Sequence, residues 1–220
     1  LNGLDLSDTK SKLLAIVANE RGALDACRFE EIQFLGYPFS ISEEFQKRNT
    51  NASIEESLSR VEAIQNLCLK HKKELVIYIS MGFGEQWSPD IAAHWSNRLA
   101  TELDVKILAL SDTIGVSNPE NISSLFSTLI PEFPKVEFGA HLHSTPETRM
   151  EKIEAAYSSG CKRFDGAIKG HGGCPMAADD LVGNMATEDL LDFASQHNIQ
   201  LGLDLDALAS ATAISNEVFL

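Results

Sequence analysis

Six short apolar runs alternate with amphipathic segments along the chain. The runs predict strands at Leu13–Ala18, Glu31–Gly36, Leu75–Ser80, Val105–Leu110, Val136–His143 and Arg163–Ile168. They are apolar over most of their length, as expected for strands of a parallel sheet that helices cover. Because parallel strands need a crossover connection, strict alternation predicts right-handed βαβ units and an α/β fold.

Several helix starts can be read from capping residues. Ser53 and Glu56 form a capping box ahead of an apolar stripe of helical spacing. Further helix starts are predicted at Pro89, Asn118, Thr145 and Thr187. The helix after Thr145 should end at Gly160, and the helix after Thr187 should reach about His197.

The positions of polar residues favour a TIM (β/α)8-type barrel over a doubly wound sheet. No GxGxxG follows the first strand, so a dinucleotide-binding sheet has no direct support. Polar residues instead gather where strands end, at Asp112, at His141 and His143, and in the long segment Lys169–Asn184. Polar groups at several carboxyl strand ends are typical of a barrel's active face.

The strand count affects the domain assignment. A barrel needs eight strands, six are found, and the chain begins with leucine. We therefore expect residues 1–220 to form a single TIM-barrel-type catalytic domain that is incomplete at its N-terminus.

Charge and cysteine content exclude some function classes. With 18 Lys and Arg against 32 Asp and Glu, the net charge is −14. No basic stripe is available to neutralise phosphates, so neither a nucleic acid nor an anionic membrane is an expected partner. The four cysteines show no CxxC motif. This indicates reduced thiols and a cytoplasmic protein, with Cys27, Cys68 and Cys161 packed in the core.

The His141-Leu142-His143 sequence is the sharpest local signal. Side chains at i and i+2 of a strand point to the same face, so the two imidazoles lie on one wall. Two neutral imidazoles side by side are a common beginning of a divalent-metal site. The structural alternative is a pair of hydrogen-bonded histidines near a strand end.

Three further segments could carry chemistry. In Gly170–Pro175, the glycines allow a close approach to a ligand, and Cys174 could be a proton donor or a nucleophile; a flexible connector is the alternative. Asn184 could ligate a hard cation or serve as a turn residue beside Gly183. Asp112 could place a carboxylate on the catalytic face or form an Asx turn.

Taken together, these segments resemble the 3-hydroxy-3-methylglutaryl-CoA lyases, which belong to a metal-dependent TIM-barrel superfamily of lyases and synthases. The similarity runs from about Leu13 to His197. The segments that carry it are Asn49–Ser57 (NTNASIEES), Ser111–Val116 (SDTIGV), His141–Thr145 (HLHST), Gly170–Pro175 (GHGGCP) and Gly183–Asp189 (GNMATED).

The resemblance implies a reaction and a set of site residues. The reaction is a retro-Claisen cleavage of an acyl-CoA or related hydroxy acid, giving acetyl-CoA and acetoacetate in that family. A divalent cation, Mg²⁺ or Mn²⁺, would be held by His141, His143 and Asn184. Cys174 would be an acid on a mobile loop, with Asp112 and His141 near the reacting hydroxyl.

The resemblance also has consequences for the loops and the assembly. Gly172, Gly173 and Thr145 would belong to the loops around the substrate. Leu13–Ala18 would occupy the third strand position, so the chain would supply about strands three to eight. A homo-oligomer is possible.

The chain departs from the family pattern at several places. Ser144 stands where the lyases have an aspartate, and the segment from Cys174 to Asn184 is one residue longer. The loop Gly82–Asp90 lacks the usual Cys-Pro pattern. The Arg-Asp signature of the first strand and the glutamate of the second have no counterpart, so we expect this chain alone not to be a competent lyase.

Two other functions remain open. One is an aldolase or Claisen-condensing enzyme of the same superfamily, which turnover of a hydroxy-keto acid without a thioester would favour. The other is a non-catalytic barrel relative that binds an acyl compound or a partner.

Overall fold

The computed structural model describes residues 3–84, 87–174 and 182–219. These residues contain one sheet of six parallel strands, in which each strand pairs with the next along the chain. The strands are β1 (Leu13–Ile16), β2 (Ile32–Ser40), β3 (Glu74–Ser80), β4 (Ile107–Asp112), β5 (Glu137–Leu142) and β6 (Arg163–Phe164).

The strand order distinguishes the two α/β architectures. A doubly wound sheet reverses its order at a switch point, whereas a barrel adds every new strand on the same side. The order β1-β2-β3-β4-β5-β6 contains no reversal. The prediction of a TIM-type barrel is therefore confirmed, with these strands in the place of six of the eight.

Helices follow the strands throughout. They are α1 (Glu20–Cys27), α2 (Glu43–Thr50), α3 (Ile54–His71), α4 (Pro89–Asn97), α5 (Pro119–Glu132), α6 (Arg149–Ser158), α7 (Thr187–Gln196) and α8 (Leu205–Val218). A π-helical turn, Arg98–Glu102, continues α4, and a short 3-10 turn, Ile168–Gly170, follows β6. No helix in the described ranges is long and apolar enough to cross a membrane.

The predicted helix starts are mostly confirmed, with one exception. Ser53 and Glu56 form both hydrogen bonds of the capping box, and Asn118 caps α5 with Pro119 in its first turn. The start predicted at Thr145 is wrong, because α6 begins at Arg149. Thr145 instead opens a turn, in which its carbonyl accepts the Thr148 amide at 3.0 Å.

Two strand ends differ most from the sequence prediction. β2 continues past Gly36 to Ser40, because the residues after Gly36 also pair with β3. Pro38 lies within this strand, opposite Tyr78. β6 ends at Phe164 rather than at Ile168. Asp165 therefore stands at the carboxyl end of this strand and not within it.

The hydrophobic core lies between the sheet and the helices. Leu35, Ile77 and Leu108 on the strands pack with Ile64 and Phe126 on the helices, and all five are fully buried. Burying such side chains supplies most of the driving force for this layer. The polar side chains of the strands collect at their carboxyl ends instead.

The expected core role of three cysteines is confirmed. Cys27, Cys68 and Cys161 are buried and unpaired. Burial raises the pKa of Cys68 and of Cys161 to about 12, so their thiols stay protonated and unreactive at neutral pH.

Candidate active site

A cavity of about 640 Å³ lies at the carboxyl ends of the strands. Its apolar wall contains Leu14, Ile16, Pro38, Phe45 and Phe164. Its polar wall contains Asn49, Tyr78, Ser80, Ser111, Thr113, His141, His143, Asp165 and Cys174. Apolar walls with a few convergent polar groups are typical of a small-molecule site.

His141 and His143 lie together on the cavity wall at the end of β5. Strand alternation puts both side chains on one face, and their ring centroids are 5.6 Å apart. Leu142, between them, is buried in the core on the opposite face.

A carboxylate holds the ring of His141. Its Nδ1 is 3.1 Å from Oδ2 of Asp165, and the Tyr78 ring packs edge-on at 5.4 Å between centroids. Burial, followed by the charge of the same aspartate, raises the pKa of Tyr78. Since Nδ1 is engaged, Nε2 is the nitrogen of His141 that can act on a ligand.

His143 is held in its neutral form. Only 4% of the residue is exposed, and it lines the cavity beside Thr113. Burial, and then the neighbouring His141, holds the pKa of His143 below its usual value. One ring nitrogen therefore carries a lone pair at neutral pH, as a metal ligand requires.

Asn184 reaches the same region from the loop before α7. It forms an antiparallel bridge with His143, and its backbone N–H donates to the carbonyl of Gly170 at 3.1 Å. Directly opposed residues of an antiparallel pair point to the same face. The side-chain Nδ2 donates to the His171 carbonyl at 2.7 Å, which leaves Oδ1 as the atom for a cation.

The chemical types of these three donors suit a divalent cation. Two imidazole nitrogens and an amide oxygen come from one face, and a carboxylate orients one imidazole, a common arrangement around metal-bound histidine. Within the described ranges, no group of three or more His, Cys, Asp or Glu side chains could hold a metal. Two imidazoles and one amide therefore provide no anionic ligand.

Cys174 is half-buried and lines the cavity. The loop that carries it starts at Gly170, whose φ of +69° disfavours other residues. A Cβ at this position would lie 2.6 Å from Nη2 of Arg149 and 2.7 Å from the carbonyl oxygen of Asn184. Residues 175–181 of the loop predicted to be mobile lie outside the described residues.

The structure does not bring Asp112 to the cavity. Its carboxylate is fully buried on the helix side of β4, where it pairs with Lys152 at 3.0 Å. It also accepts the backbone N–H groups of Val116 and Ser117, at 2.8 and 3.0 Å. The predicted place near a reacting hydroxyl is not supported by this geometry, because the neighbours Ser111 and Thr113 face the cavity instead.

Three other predicted positions are not among the residues that line the cavity. Thr145 is exposed and belongs to the turn before α6. Gly172 adjoins the Asn184 side-chain nitrogen, which would lie 3.1 Å from a Cβ added there, and Gly173 connects it to Cys174. Ser144 is buried, with its hydroxyl 3.8 Å from the Met185 sulfur.

Comparison with known proteins agrees with this geometry. The HMGL-like family model matches residues 14–214, most of the chain. The chain belongs to the HMGL-like family.

Two relatives of this HMGL-like chain carry the names of lyases. It is 32% identical over 203 residues to the hydroxymethylglutaryl-CoA lyase of Bacillus subtilis, covering 90% of the chain and 66% of that protein. It is 31% identical over 173 residues to a 3-hydroxy-3-isohexenylglutaryl-CoA/hydroxy-methylglutaryl-CoA lyase of Pseudomonas aeruginosa, covering 77% and 57%. The chain thus spans less than two thirds of each relative.

A solved structure supports the same assignment. The HMGL-like chain superposes on the crystal structure of the Bacillus subtilis HMG-CoA lyase with a TM-score of 0.86 and 30% identity. The match covers 96% of this chain and 72% of the other.

Two cavity residues of the HMGL-like chain were missed by sequence reasoning. Asp165 was placed inside a strand predicted to reach Ile168, although a carboxylate directly after a shorter strand would have been a signal. Tyr78 sits in an otherwise apolar run. Its position on the inner face follows strand alternation, but its edge-on contact with the His141 ring depends on tertiary structure.

Proposed function

We propose that this chain is the catalytic barrel of a carbon–carbon lyase that cleaves 3-hydroxy-3-methylglutaryl-CoA, or a close β-hydroxy acyl-CoA. The products would be acetyl-CoA and acetoacetate. The observation that carries the proposal is the meeting of His141, His143 and Cys174 on one cavity, with Asn184 bridged to His143.

The proposal includes a divalent cation. His143 and Asn184 would hold it, with His141 as a third donor while that ring is unprotonated. When bound, the cation would polarise the hydroxyl and carbonyl oxygens of the substrate. Because Mg²⁺ favours charged oxygen ligands, we propose that two further βα units of the barrel add a carboxylate.

His141 is the base in this proposal. Its Nε2 takes the proton of the tertiary hydroxyl, and the Asp165 carboxylate stabilises the imidazolium that forms. The bond between C2 and C3 then breaks. Its electron pair goes to the thioester as an enolate, while the hydroxyl carbon becomes the ketone of acetoacetate.

Cys174 is the acid. Its thiol gives a proton to C2 of the enolate and yields acetyl-CoA, so that the proton lost by the hydroxyl and the proton gained by carbon balance. The glycines before Cys174 let the loop approach the substrate and exclude water from the carbanion. The wall formed by Leu14, Ile16 and Phe45 suits the apolar part of an acyl chain.

The test is a product assay with the full-length protein. With Mg²⁺ or Mn²⁺ and 3-hydroxy-3-methylglutaryl-CoA, we expect acetyl-CoA and acetoacetate in equal amounts. Turnover confined to a hydroxy-keto acid without a thioester would replace this function by an aldolase. Binding of the thioester without any product would instead indicate a non-catalytic relative.

Asp165→Asn should lower kcat about a hundredfold with little change in KM, because the amide no longer stabilises the protonated ring of His141. Steady-state kinetics on the full-length protein provide the measurement. The matched control is Asp189→Asn, since Asp189 is similarly exposed (29% against 27%) and pairs with Arg149 instead. Equal effects of the two substitutions would contradict the role given to Asp165.

A further inference from the structure

A buried ion pair lies directly behind the cavity wall, on the helix side of the sheet. Lys152 of α6 and Asp112 of β4 join at 3.0 Å, with side-chain exposures of 3% and 0%. Lysine is almost never this buried. Removing two charges from water is costly, so a buried pair contributes little net stability and calls for another explanation.

The first link from this pair reaches the backbone of His143. Nζ of Lys152 donates to the His143 carbonyl at 2.8 Å, and a weaker contact of 3.4 Å reaches the Gly115 carbonyl. The ammonium group therefore ties α6 to the ends of both β4 and β5.

The second link reaches the loop beside the His143 ring. The Asp112 carboxylate accepts the N–H groups of Val116 and Ser117 as well as the Ser117 hydroxyl. These bonds fix the loop after β4, whose Thr113 lines the cavity together with His143. A third contact fixes Thr113 itself, whose Oγ1 accepts the Met81 N–H at 2.8 Å.

We propose that Lys152 and Asp112 are positioning residues that fix the location of His143. Lys152 holds the backbone of His143, and Asp112 holds the loop after β4, which lies beside His143 on the cavity wall. Neither side chain touches the cavity. The inference rests on the proposed function only in treating His143 as a ligand of the cation.

The experiment compares Lys152→Met with the wild-type full-length protein. We expect the side-chain ¹⁵N NMR signals of His143 to shift, because its backbone is no longer held by the ammonium group. Mn²⁺ affinity should fall at least about tenfold, the usual effect of removing a group that orients a ligand. We expect kcat to fall together with the Mn²⁺ affinity. At saturating Mn²⁺, KM for the thioester should be unchanged.

Lys73→Met is the matched control. Lys73 is also buried and donates to the backbone carbonyls of Phe29 and Ile32, but it has no connection to the cavity. It should lower thermal stability without altering the His143 signals. Lys152→Met leaves the buried Asp112 carboxylate without its partner, which can unfold the chain. The double variant Lys152→Met/Asp112→Asn leaves no buried charge and is therefore measured alongside.

The two proposals fail in different ways. Unchanged His143 signals in folded Lys152→Met, or in the double variant, would overturn the positioning role, whatever the enzyme activity. Conversely, shifted His143 signals in Lys152→Met, together with a wild-type protein that cleaves no thioester, would leave the positioning role in place and remove the proposed reaction.

Discussion

Replacing Cys174 with alanine should lower kcat about a thousandfold, because no other described thiol lines the cavity to protonate the enolate. Mn²⁺ affinity should stay within about twofold of wild type, because Cys174 is not among the proposed ligands. Steady-state kinetics and isothermal titration with Mn²⁺ on the full-length protein would measure both effects.

The control for this substitution is Cys27→Ala. Cys27 is a buried thiol of α1 and does not line the cavity, so its loss should affect stability and leave kcat unchanged. Unaltered turnover in Cys174→Ala would exclude the thiol as the acid. A parallel loss of Mn²⁺ binding would indicate that the loop, and not the proton, had been disturbed.

Replacing His143 with alanine should weaken Mn²⁺ binding by at least about a hundredfold and abolish measurable cleavage. The ring is neutral and buried, so it loses little of its ligand capacity to competing protons at neutral pH. Titration with Mn²⁺ would give the affinity, and circular dichroism would establish that the variant is folded.

His197→Ala provides the comparison for His143→Ala. His197 is the C-cap residue of α7, and its ring stacks on Phe193 of the same helix at 4.0 Å between centroids. His197 does not line the cavity. Its removal should leave Mn²⁺ affinity unchanged. Retention of full affinity in folded His143→Ala would contradict the proposed cation site.

The parts of the site that were predictable from sequence follow from strand geometry. The alternation rule placed His141 and His143 on one face because both belong to the same strand. Sequence order likewise placed Cys174 and Asn184 after the last strand, at the end of the sheet where the cavity lies. Local regularity was enough in these cases.

Asp112 shows where local reasoning fails. A carboxylate at a strand end suggested a cavity group, but the residue lies one position out of phase with Ser111 and Thr113, which line the cavity. Its partner Lys152 is 40 residues further along. No spacing rule connects the two, and the choice of face depended on the exact end of the strand.

The sequence patterns also did not predict the short polar helix α2. The α2 sequence, EEFQKRNT, has one large apolar residue, Phe45, and no repeat of helical spacing. It is stabilised by the Ser42 cap and by Gln46, whose Oε1 accepts the Ser40 N–H at 2.6 Å. Because Phe45 and Asn49 line the cavity, this helix contributes to the site despite its weak signal.

The sequential strand order has a consequence for synthesis. Each described strand after β1 pairs with the strand made just before it, so none of these five pairings needs a strand from further along the chain. Low sequence separation between partners favours rapid folding, and such a sheet can grow unit by unit as the polypeptide leaves the ribosome. The cavity groups on β5, β6 and the loop after them emerge after β1 to β4 and their helices, so the hydrophobic layer can begin to form before the histidines are in place.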